Sequence, residues 1–143
     1  MNAEDTVARV VAFYERLQPA DLARLAQLYA DGVYFKDPFN EVRGVAAVRR
    51  VFEHMFATLE APRFIVHERV VQGTQAFLTW DFVFRLRGRS GEEIRVRGAT
   101  HLRLAADGRV AEHRDYWDAA EELYEKLPVL GTLMRWLKRR VNA

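Results

Sequence analysis

The sequence predicts an α+β domain with N-terminal helices packed on an antiparallel sheet. Three observations predict it: apolar residues recur at helical spacing as far as Pro62, β-branched and aromatic runs alternate from Phe64 to Trp117, and helical spacing returns after Pro128. The 143 residues, 50% of them hydrophobic, suffice for one domain with a sizeable core. Residues 1–127 form the expected domain body and residues 128–143 a C-terminal basic amphipathic helix.

Each element follows in order. Val7, Val10, Val11, Tyr14 and Leu17 form a helical stripe after a cap at Asp5, and Pro19 ends it. Asp21 caps a second helix carrying Leu22, Leu25, Leu28 and Tyr29, which Gly32 stops before a short extended piece, Val33 to Phe35. Asp37-Pro38 forces a turn. After Gly44, the spacing of Val45, Val48, Val51, Phe52 and Met55 predicts a third helix closed by Pro62. At least four antiparallel strands follow, punctuated by Gly73, by Gly88 to Gly91 and by Asp107-Gly108.

The strand from Ala76 to Leu86 is apolar on both faces, so its sheet needs two covers. Helices supply one. A second subunit is the expected other, a homodimer formed through the face bearing Trp80, Phe82 and Phe84.

Composition removes whole classes of chemistry. Without cysteine there is no disulfide, thiolate metal site or thiol nucleophile. His54, His67, His101 and His113 are scattered, so no metal is expected. The one serine, Ser90, sits in an arginine-rich hairpin, and no glycine loop is built to cradle phosphates, so no nucleotide cofactor is expected. Residues 1–127 hold 18 basic and 20 acidic side chains, a net −2, which argues against a nucleic-acid partner. The absence of a long apolar run, with Glu4 and Asp5 near the start, leads to the expectation of a cytoplasmic protein.

The order of elements, together with "ADLARLAQLYADGVYFKDPF" at residues 20–39, the Gly44 helix start and "DGRVAEHRDYWD" at residues 107–118, resembles the SnoaL-like branch of the nuclear transport factor 2 (NTF2-like, cystatin-like) superfamily. The resemblance implies a cone-shaped α+β fold with a curved sheet. It also implies residue roles. Ketosteroid isomerases are similar in having a tyrosine donor and an aspartate base, matched by Tyr14 and Asp37, while their second acid falls on Thr100. Limonene epoxide hydrolase is similar at Asp81, Asp115 and Tyr34, but its arginine falls on Thr79 and its asparagine on Lys36. In SnoaL-type polyketide cyclases the counterpart of the acid–base aspartate is Asp115.

Strand alternation adds an independent reading. Ala111, His113, Asp115 and Trp117 share one face of the last strand, and Val96, Gly98, Thr100, Leu102 and Leu104 form the apolar face of the strand before it. If Asp115 faces the cone, so do His113 and Trp117. A carboxylate in an apolar wall is desolvated and suited to proton transfer near neutrality, and Asp81 would couple to it on close approach. Alternatively, Asp115 bonds Tyr14 or His113 and anchors the sheet.

The expected function is an apolar pocket for a small hydrophobic molecule, with Asp115 or Asp37 as acid–base group, Tyr14 or His113 as donor, Asp81 as a second acid, and Tyr34, Trp117 and Thr100 on the ligand. Isomerisation, cyclisation and hydrolysis without a cofactor are the reactions this allows. The alternative is a non-catalytic carrier or accessory module. In the C-terminal helix Leu130, Leu133, Met134, Leu137 and Val141 form a stripe with Arg135 and Arg139 opposite and Lys138 and Arg140 at its flanks. It fits a lid, a dimer contact or a weak contact with an anionic membrane surface.

Overall fold

Asn2, rather than Asp5, caps the first helix, its side-chain oxygen accepting the Asp5 amide at 2.8 Å. The computed structural model describes residues 2–88, 92–126 and 128–141. Helix α1 (Ala3–Glu15) buries Val7, Val10 and Tyr14. A 3-10 turn (Pro19–Arg24) and a single α-turn, α2 (Leu25–Leu28), replace the longer second helix expected. The chain turns extended at Tyr29, earlier than Val33, because β1 (Tyr29–Lys36) is recruited into the sheet.

Strand β2 (Glu41–Arg43) pairs with β1, and Gly44, at φ +92°, redirects the chain into α3 (Val45–Thr58). Helix α3 ends before Pro62, which lies inside β3 (Leu59–Gln72). That position tolerates a proline because β3 is an edge strand and its pairing shifts register between Glu60 and Arg63. Strands β4 (Gln75–Leu86), β5 (Glu93–Leu104) and β6 (Val110–Tyr116) complete a curved, unclosed six-stranded sheet of order β2-β1-β6-β5-β4-β3. All pairings are antiparallel except β1 with β6. The parallel pair sets Phe35 beside His113, a contact between residues far apart in sequence.

Helices α1 and α3 cover the concave face. The core between them joins Val7, Val10, Leu25, Tyr29, Phe35, Val48, Phe52, Leu78 and Leu102. Trp80 and Phe84 are buried in this same core and Phe82 packs against it, so the expected dimer face is corrected: these residues point inward. The opposite face of β4 carries Phe77, Thr79, Asp81 and Val83. Alternation had sorted the side chains correctly, but two apolar faces left nothing to say which one the helices would take.

The chain closes with α4 (Ala119–Glu122), a 3-10 turn (Tyr124–Lys126) and α5 (Pro128–Val141). Beyond the end of β6, the half of β5 around Arg97 has an open edge. Glu122 closes it, taking the Arg97 backbone N–H at 2.8 Å and the Arg97 guanidinium at 2.8 Å, and Lys126 donates to the Arg95 carbonyl. The described helices include none long and apolar enough to cross a membrane.

Candidate acid–base site in the cone

Between α3 and the concave sheet lies a cavity of about 280 Å³ walled by Phe35, Phe52, Phe64, Trp80, Phe82 and Phe84. Asp37, Phe39, Asn40, His54 and Trp117 also line it, as does Leu123 from the segment after α4. An inner chamber of about 30 Å³, lined also by Tyr14, Thr100 and His113, shares Phe52, Phe64, Trp80 and Asp115 with it.

Asp115 sits where the two spaces meet. Its Oδ1 accepts the Thr100 hydroxyl at 2.6 Å and lies 2.8 Å from His113 Nε2. Trp80 Nε1–H donates to Thr100 Oγ1 at 2.7 Å, so the one Thr100 proton is left for Asp115. On the other side His113 Nδ1 lies 2.7 Å from the Tyr29 hydroxyl, which is in turn bonded to Tyr14. Burial pushes both phenols well above their usual range, so both keep their protons. One arrangement that satisfies every member has Tyr14 donating to Tyr29, Tyr29 to Nδ1 and Nε2–H to Asp115. Among the described residues Asp115 Oδ2 has no partner.

One glycine sets the floor. A Cβ at Gly98, the cross-strand partner of Trp80, would run into the indole ring. The ring can lie on the strand because that side chain is missing.

The remaining predicted residues separate. Asp37 stands at the mouth, where Oδ1 accepts the amides of Phe39 (2.8 Å) and Asn40 (2.7 Å) and Asn40 Nδ2 bridges both of its oxygens at 3.1 Å. It is bound into its own turn. Trp117 lines the cavity and packs edge-on against Phe39, ring centroids 5.5 Å apart. Asp81 is on the other face of the sheet from Asp115, which corrects the expected coupled pair. Arg95 at 2.6 Å, with His67 at 3.4 Å, holds its carboxyl below the usual carboxylate range. Tyr34 is likewise on the outer face, donating to Glu41 at 2.9 Å under the Arg43 guanidinium. Tyr29 is the member that sequence reasoning missed; it had been read as one more apolar position of a helix. Among the described residues no three His, Asp or Glu side chains gather as metal ligands.

The SnoaL-like domain family model matches residues 10–113 of this chain, well over half of it. The chain belongs to the SnoaL-like domain family. Solved structures share the fold of this SnoaL-like domain at low identity. One, from Catenulispora acidiphila, has a ketosteroid isomerase-like fold and was solved with trimethylamine; it is 18% identical, over 82% of this chain and 88% of that one, with a TM-score of 0.70. A candidate SnoaL-like polyketide cyclase from Jannaschia sp. CCS1 is 20% identical over 83% and 87%, TM-score 0.71. An LEH-like epoxide hydrolase from M. tuberculosis is 17% identical over 96% of both chains, TM-score 0.69. No curated protein sequence matches the chain significantly. Such distant likenesses carry the fold and leave the chemistry to the site.

Proposed function

We propose that this SnoaL-like domain binds a small, mainly apolar molecule in its cone and that Asp115 exchanges a proton with it without a cofactor. The observation that carries the reading is the Asp115 carboxylate, anchored through one oxygen by Thr100 and His113 on the wall of an aromatic cavity. Two donors on Oδ1 fix the group's orientation and leave Oδ2 to take a proton from a carbon acid or a water. Returning that proton to another atom of the bound molecule completes an isomerisation or cyclisation; when the proton comes from water, the hydroxide adds to an epoxide carbon, the ring C–O bond breaks, and Asp115 returns the proton to the alkoxide oxygen. At about 280 Å³ the cavity is at the small end of ligand sites, which favours a terpenoid-sized molecule over a tetracyclic one.

A second reading, a carrier without turnover, has its own support. The donors of the inner chamber, Tyr14, Trp80 and Thr100, are already spent on protein acceptors, which leaves no free donor there for a developing oxyanion.

One experiment separates the two. Wild type and Asp115→Asn are incubated with a panel of β,γ-unsaturated ketones and terpenoid epoxides, and both binding and product are followed by mass spectrometry. The enzyme reading expects product from the wild type alone, with binding kept in both. Binding without product from either protein supports the carrier, and an absence of binding across the panel refutes the cone as an apolar pocket for such molecules.

A further inference from the structure

Helix α5 is docked with its polar side toward the body. Gly131 is buried so close to the Glu125 carbonyl that a Cβ there would collide with it. Arg135 donates to the same carbonyl, and Lys138 Nζ lies 3.7 Å from the Glu125 carboxylate. Residues 131, 135 and 138 fall on one side of a helix with 3.6 residues per turn. Leu133, Trp136 and Leu137 fall on the far side, with Val141 at its edge, and are 49%, 45%, 40% and 83% exposed. A surface helix ordinarily turns such a stripe inward. The described residues that line the cavity include none from α5.

What covers the stripe can be argued from charge. Residues 128–143 hold Arg135, Lys138, Arg139 and Arg140 and no acidic residue. A second copy of the helix would bring four more positive charges against these four. An anionic surface complements them. Arg140 stacks over the Trp136 ring at 5.1 Å on one flank of the stripe. Its long stem lets the charged head reach a headgroup layer while the leucines enter the acyl boundary. We propose that α5 is a membrane-surface anchor that lies on anionic lipid through Leu133, Trp136, Leu137 and Val141, independently of what the cone binds.

Flotation of the full chain with phosphatidylcholine vesicles, with and without phosphatidylserine, tests the proposal. Wild type is expected to float with the anionic vesicles at low salt and to be released as salt rises. Leu133→Glu/Leu137→Glu is expected to lower the vesicle partition coefficient about tenfold or more, and Arg139→Glu/Arg140→Glu to lower it while flattening its salt dependence. Unchanged circular dichroism would show that both variants stay folded, as expected for exposed positions. The proposal is overturned if wild type fails to float with anionic vesicles at low salt, or floats equally with neutral ones. It is also overturned if the leucine variant merely converts a dimer to a monomer in sedimentation without changing flotation.

Discussion

The floor and the mouth of the cavity each present an aspartate, and the two are held in opposite ways. At the mouth, Asp37 is fixed by amides of residues two and three positions on. At the floor, Asp115 is fixed by Thr100 from the neighbouring β5 and by His113, which is itself held by Tyr29 from β1 on the other side of β6. The first arrangement needs only a turn; the second needs the whole fold. A carboxylate that long-range contacts hold beside an apolar wall is placed by the whole fold, whereas a carboxylate bonded into its own loop shapes the entrance.

That contrast can be broken at the floor first. Asp115→Ala should leave the Thr100 hydroxyl and the His113 N–H without an acceptor, costing about 3 kcal/mol in urea denaturation. Asp115→Asn, which keeps an oxygen at Oδ1, should cost about 1 kcal/mol while losing any turnover. Equal, negligible costs for both would remove Asp115 from the network.

Next in size is Tyr29→Phe, which strips His113 Nδ1 of its donor and Tyr14 of its acceptor, at about 2 kcal/mol. The same pair can be sharpened by alkaline titration. Because burial raises both phenols, their neutral forms belong to the native state, and the fold loses stability as pH climbs above the ordinary tyrosine value of about 10. Tyrosinate absorbance from Tyr14 and Tyr29 should therefore appear only with unfolding; a reversible rise in the native protein from these two would contradict their placement.

Smaller again is the Glu122 clasp on the open edge of β5. Glu122→Gln should cost about 1 kcal/mol at pH 7, a modest figure because Arg97 is well exposed to solvent. Its bonds to Arg97 depress the Glu122 carboxyl below its ordinary 4.5. The stabilisation is thus fully present above that pH and is lost as acid carries the solution through the lower native value. Wild type and variant should converge in melting temperature there and separate again at neutrality. The smallest effect belongs to the mouth: Asp37→Asn should stay within about 0.5 kcal/mol, since asparagine makes the same turn.

The legible parts of the sequence were those fixed by local period. The α+β division, the strand faces and the grouping of His113, Asp115 and Trp117 all follow from spacing alone, and the family text pointed to Thr100. Tyr29 was not legible, because its helical spacing with Leu25 and Leu28 is real while its partner His113 lies 84 residues away. The inward aim of Phe82 was hidden for a related reason: period 2 tells which side chains travel together, and packing alone decides where they go. Asp81 and Tyr34 entered through a template whose partners, arginine and asparagine, this chain lacks, and both residues have taken up surface ion pairs and hydrogen bonds instead.

Gly98 gives the cavity a depth gauge. The indole of Trp80 rests on bare backbone there, so the distance from mouth to floor is written in a hydrogen atom. Any larger residue would tilt the indole toward the void, shorten the space and pull Nε1 off Thr100. The depth of the cavity is therefore tunable from beneath, at a position outside its lining.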